Sequence, residues 1–197
     1  MPSNHKNPRI RQKIAQATAR ILVADPTLNP ERVRCKVAAQ IGVTNQRQWP
    51  NRAEVFAALA LEQRLFRPEQ PHFLHKLRKQ ALNAMRHFAK FQPHLVGSVW
   101  DGTADYKSCI QLYLFAETPD DVLLVLLEDN IPWNQYEKFL HYSNGNRQPH
   151  PVFSFNADDM DIELIVLPLE AYRNPPLDAM HEHPERGANM EQVEKIL

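Results

Sequence analysis

The segment Gly97-Ser98-Val99-Trp100-Asp101-Gly102-Thr103-Ala104-Asp105-Tyr106-Lys107 holds most of the residues whose types and spacing could do chemistry. Glycine lets a backbone approach a ligand closely, and a Ser or Thr hydroxyl beside it can donate to a phosphate oxygen. Gly97, Ser98, Gly102 and Thr103 therefore read as a nucleotide-binding loop, with Lys107 placed to meet a phosphate. The plainer reading is a strand–loop–strand corner, with Lys107 facing water. Asp101 and Asp105 add two carboxylates to the loop, where such groups are usually solvated turn residues. Glu163 stands in a later apolar run, Asp161–Leu167, and its plain reading is a surface residue on an edge strand.

Weaker candidates lie elsewhere. Glu182 sits between His181 and His183 in a Pro-rich tail. No helix places both histidines on one face there, so the trio reads as polar tail rather than a metal site. Cys109 has no activating neighbour in sequence and reads as an inert buried thiol. Trp49, Trp100 and Trp133 could stack on bases, although packing is the commoner use of tryptophan.

These residues need elements to position them, and two patterns divide the chain. Residues 1–68 read as a basic helical module of three helices. The first, from about 8 to 24, carries Ile10, Ile14, Ala17 and Ile21 at helical spacing. Pro30 suits the first turn of the second, which carries Val33, Val37, Ala38 and Ile41 and stops at Gly42. Asn51 can cap a third that carries Val55, Phe56, Leu59, Leu65 and Phe66. The run from Lys36 to Val43 resembles the first helix and turn of a helix-turn-helix unit, which would set Arg47 and Arg52 before nucleic acid. A packing module is the alternative. Residues 67–72, with two prolines, read as a linker.

From 72 to 197 the pattern is an α+β domain with a Pro-rich C-terminal tail. A helix from about Phe73 to Phe91 leads to a short strand at His94–Val99 and a second at Ile110–Ala116. Thr118, Pro119 and two acids then start a helix that ends near Asn130. Residues 131–143 suggest a strand running into a turn at Asn144-Gly145. Val152–Asn156 and Asp161–Leu167 suggest two more, joined at Asp158-Asp159-Met160. Only 188–197 of the tail has helical character. The sum is a small mixed sheet with helices on one side.

Charge follows the same division. Residues 1–70 hold twelve Lys/Arg against five Asp/Glu, a balance of +7, and the remainder balances it at −7. A polyanion such as RNA could bind the basic part. Equally, the two parts could attract each other, either within one chain or between two copies as a homodimer through charge-complementary modules. No stretch is apolar enough to span a bilayer and the first residues are polar, so no membrane partner is expected and the location reads as cytoplasmic. Cys35 and Cys109, far apart, are expected to be free thiols.

The order of elements and the segment Leu95–Phe115 resemble the nucleotidyltransferase-fold superfamily over roughly residues 73–167. Its signature has a strand ending in Gly-Ser, then Ser-Asp-x-Asp at the start of a second strand, then a third carboxylate from a later strand. Gly97-Ser98 matches the first part, Ser108-Cys109-Ile110-Gln111-Leu112 aligns with the second, and Glu163 would be the third. Gly102-Thr103 is a second register for the Gly-Ser element, and both stay open. The resemblance implies Mg²⁺ as cofactor, with two carboxylates at i and i+2 on one strand face holding the metal pair. Here those positions are Cys109 and Gln111, a neutral thiol and a neutral amide. The expectation is a nucleotidyltransferase-like protein that binds nucleotide or RNA without two-metal catalysis. The first alternative is a divergent transferase using Glu163 as catalytic and metal-binding residue with Asp101 or Asp105. The second is a non-enzymatic interaction or regulatory protein.

Overall fold

The computed structural model describes residues 8–178 and 183–197, so His181 and Glu182 lie outside the described residues. The chain forms two compact units, Met1–Gln70 and Pro71–Leu197.

The first unit contains α1 (Pro8–Ala24), α2 (Pro30–Gln40), a short 3-10 turn at Gln46–Gln48 and α3 (Arg52–Phe66). α1 packs against both α2 and α3. Its buried face is Ile14, Ala15, Thr18, Ala19 and Leu22, displaced from the Ile10–Ile21 stripe expected. Ala15 and Ala19 explain the displacement, because small side chains let helices cross closely. Asn29 accepts from the Arg32 amide at the start of α2, and Pro30 occupies the first turn. At α3, Asn51 and Glu54 cap each other's backbone amides. Arg34 is buried with Glu31 as ion-pair partner and donates to the Pro50 carbonyl at 2.8 Å.

The second unit opens with α4 (Gln70–His87). The helix begins three residues before the expected Phe73, because Pro71 fits its first turn and so extends the helix into the expected linker. A 3-10 turn, Ala89–Phe91, follows it. Then come β1 (His94–Val96), α5 (Gly97–Asp101), β2 (Ile110–Ala116), α6 (Pro119–Glu128), β3 (Asn134–His141), β4 (Arg147–Ala157) and β5 (Met160–Pro168). A last 3-10 turn spans Leu169–Tyr172, and α7 (Met190–Glu194) lies near the end. The fold is thus mixed α+β, and among the described residues one five-stranded sheet is seen, ordered β1-β2-β5-β4-β3. Only the β2–β5 pair is parallel.

Side chains alternate across this sheet. Leu112 and Leu114 of β2, Phe153 and Phe155 of β4, and Ile162, Leu164 and Val166 of β5 pack in one core with Met85 of α4, Phe88 just after it, and Val122 and Leu126 of α6. The opposite face carries Val96, Tyr113, Phe115, Val152, Ile165 and Leu167, joined by Ala171 of the last 3-10 turn. The C-terminal segment straps this second face. Leu177 donates to the His141 carbonyl at the end of β3 (2.7 Å), and Leu95 and Ala188 exchange two 2.8 Å bonds at β1.

Two expected boundaries and one strand position are corrected. The first strand stops at Val96, not Val99, because Gly97 has φ +72° and turns the chain into α5. β4 starts at Arg147 rather than Val152, despite Pro149 and Pro151. Both prolines precede Val152, where pairing with β5 begins, so the amides they lack have no ladder partner to serve. Lastly, β5 lies between β2 and β4, so Glu163 stands on an interior strand and not on an edge.

Candidate functional site

Register brings the aligned positions together. Gln111 of β2 lies directly beside Glu163 of β5, with Val96 of β1 and Ser154 of β4 as the next partners on either side. Residues 111, 113 and 115 share the strapped face, as do 163, 165 and 167. The apolar members of that face lie under the strap; Gln111 and Glu163 sit at the other end of their strands and form a polar cluster instead.

Glu163 is the centre of that cluster. Its Oε2 accepts from Gln111 Nε2 at 3.0 Å and from Lys138 Nζ at 3.0 Å. The Tyr136 hydroxyl donates to the same carboxylate. Lys138 and Tyr136 are two apart on β3, which directs both toward one face. Gly97 completes the arrangement from the end of β1. A Cβ there would stand 2.8 Å from Gln111 Oε1, so Gly97 lies directly against the Gln111 side chain.

The electrostatics follow from burial and pairing. Burial pushes the Glu163 carboxyl up. The Lys138 charge and the hydrogen bonds from Tyr136, Lys138 and Gln111 more than reverse this, and the group lies below its ordinary value. Tyr136 is pushed up, by burial first and then by its bond to Glu163, and stays protonated as a donor. Burial, with the Glu163 charge next, pushes the Cys109 thiol up to about 12. A thiol held so high is not a nucleophile at neutral pH. Cys109 stands just before β2 and is half-buried rather than the fully buried strand thiol expected. With its thiol held up, it is still expected to resist iodoacetamide in the folded protein and to label readily in denaturant; rapid native labelling, read by mass spectrometry, would contradict the raised thiol. Both cysteines are free.

The remaining expected residues fall elsewhere. Gly102 ends α5 with φ +80°, and Thr103 and Ala104 both donate to the Ser98 carbonyl. Arg78 of α4 donates to the Val99 and Trp100 carbonyls beside them. The Gly102-Thr103 pair is thus the closing turn of α5, with Thr103 buried. Asp105 is buried and closes a turn, accepting from the Lys107 amide at 3.0 Å while Ser108 Oγ accepts from its amide at 2.9 Å. Lys107 is exposed with its ammonium 5.5 Å from the Tyr106 ring. Asp101 is half-buried at the last turn of α5. The hydrogen bonds to Glu163 described above come from Gln111, Lys138 and Tyr136. Among the described residues, no group of three His, Cys, Asp or Glu side chains is arranged to hold a metal ion. In the first unit, Arg47 is exposed and its carbonyl accepts from Arg11 at 3.4 Å, while the Arg52 guanidinium lies 4.9 Å from the Phe56 ring.

Sequence reading missed Lys138 and Tyr136. Their only local signal is two long polar side chains at i and i+2 in a strand. Their role depends on β4 pairing with both β3 and β5, so that Lys138 reaches across β4 to Glu163, a relation between residues 25 apart in sequence.

Comparison with family models, curated proteins and solved structures returned no match. Among the described residues, no helix is long and apolar enough to cross a membrane.

Proposed function

We propose that the second unit is a nucleotidyltransferase-like domain that binds nucleotide or RNA without two-metal transfer chemistry. One observation carries this reading: the Lys138 ammonium occupies the carboxylate of Glu163, the one acidic group left at the aligned positions. A divalent ion there would have to displace a cation already paired and would find only neutral ligands, Gln111 and Cys109, beside it. Two-metal catalysis needs several carboxylates around its ions. Asp101 and Asp105 do not supply them, because among the described residues no three such side chains are arranged to hold an ion and Asp105 is committed to its own turn.

Gly97-Ser98 remains the element through which phosphate contact is expected, and Mg²⁺ is then not required. Calorimetry with ATP, GTP, CTP and UTP, each in Mg²⁺ and again in EDTA, checks this. The expected result is binding of at least one nucleotide with similar affinity in both buffers. Transfer of a labelled nucleotide to RNA, protein or a small acceptor, abolished in Glu163→Gln, would replace this reading with a divergent enzyme.

A further inference from the structure

Two helices leave leucines in solvent, and the charges around them are opposite. α3 buries Val55 and Leu59, yet Leu61, Leu65 and Phe66 are 55%, 65% and 66% exposed. α6 buries Val122, Val125 and Leu126, yet Leu124 and Leu127 are 55% and 52% exposed. Exposed leucines that share one helix face beside a polar rim mark a contact surface. The rims differ in sign. Beside the α3 leucines Arg64 is exposed, Glu62 is buried and paired with the exposed Arg20, and Arg67 donates to the Val23 carbonyl, so Arg64 is the rim base nearest the leucines. Residues 117–130, around α6, hold Glu117, Asp120, Asp121, Glu128 and Asp129 and no base. The same opposition runs through the whole chain, +7 over residues 1–70 and −7 over the rest.

We propose that α3 of one copy of this chain docks on α6 of a second copy. Leu61 and Leu65 are spaced i, i+4, and Leu124 and Leu127 i, i+3, so each pair forms one short ridge on its helix surface. Ridges of this kind pack side by side while Arg64 of one rim meets the carboxylates of the other. Pairing like helices is disfavoured, because α6 against α6 would set acids against acids. The contact joins two different patches, so it closes as a dimer when it is made twice around a two-fold axis. It is independent of nucleotide binding, since none of these residues belongs to the Glu163 cluster.

Sedimentation velocity on the full chain, at low and at high salt, tests the proposal. The wild type is expected to dimerise at low salt and to dissociate at high salt, where charges are screened over a few ångströms. Leu65→Glu sets an acid against the acidic rim, and Leu127→Arg sets a base against the basic one. Each alters only an exposed side chain and is expected to weaken the dimer by about tenfold or more. An equimolar mixture of the two variants should recover it. In the mixed dimer one contact pairs the new glutamate with the new arginine, and the other is wild-type. A wild type that is monomeric at every concentration and salt overturns the proposal. So does a dimer that either single variant leaves intact, or one that both variants disrupt and the mixture fails to restore.

Discussion

Replacing Lys138 with methionine is expected to cost the second unit about 1–3 kcal/mol at neutral pH, below the roughly 3–5 kcal/mol of breaking a fully buried pair. The discount reflects exposure: the Lys138 side chain is 31% exposed and that of Glu163 is 19% exposed. The physical cost is the carboxylate left behind. Burial alone pushes Glu163 up, and in the wild type Lys138 is the first influence that lowers it. With the folded value below the unfolded one, the stabilisation is complete above the unfolded value and is lost as pH falls through the folded one. Without Lys138 the balance tips toward burial, Glu163 rises, and it takes up its proton at a higher pH than in the wild type. The gap between the two proteins should therefore be widest at neutral pH and should narrow in acid. Melting curves in neutral and acidic buffer decide the matter. An equal gap in both would mean that methionine disturbs packing and that charge has little part. Adding Glu163→Gln to Lys138→Met should return much of the lost stability, because an unpaired buried charge is worse than two neutral partners.

This cluster shows where sequence reading reaches its limit. The caps were legible because they are local. Asn51 with Glu54, and Thr118 with Asp121, lie within one turn of each other, and both pairs form capping boxes. Strand β2 was legible to the residue, since Ile110–Ala116 is an unbroken run of β-formers. The two ends of β4 differ. Its C-terminal end follows from the tight turn at Asp158 and Asp159, which both take positive φ. Its N-terminal end was hidden by prolines, whose meaning depends on which side of the strand is paired. The same holds at the site. Gln111 and Glu163 could be aligned by motif, but their contact bridges 52 residues and Lys138 enters from a third strand. The placement of Asp101 and Asp105 has a local cause that the sequence leaves hidden: the loop folds back on itself through α5 and the Asp105 turn.

The position of Gly97 depends in turn on how β1 is held, and Gly187→Ala is expected to disturb that at a cost of roughly 2–4 kcal/mol. Gly187 has φ +73°, and a Cβ on it would stand 2.5 Å from the Leu95 carbonyl oxygen and 2.5 Å from Val96 Cγ1. Neither atom has room to give. Leu95 is fully buried and its backbone exchanges two hydrogen bonds with Ala188, while Val96 is paired with Gln111 in the sheet. Relief must come from lifting the strap off β1 or from moving β1 itself, and the residue that follows β1 is Gly97. Gly145→Ala supplies the control. It sits in the same unit with φ +81° and nothing within 4 Å of its Cβ position, so it carries the backbone cost of about 1–2 kcal/mol alone. Urea unfolding of both variants separates the two costs, and equal losses would show that the close approach at Gly187 is not a constraint. Hydrogen exchange offers an independent readout, because the Leu95 and Ala188 amides should lose protection in Gly187→Ala and keep it in Gly145→Ala. Any nucleotide affinity should fall with the first variant only, since the strap fixes β1 and β1 delivers Gly97 to the Gln111 side chain.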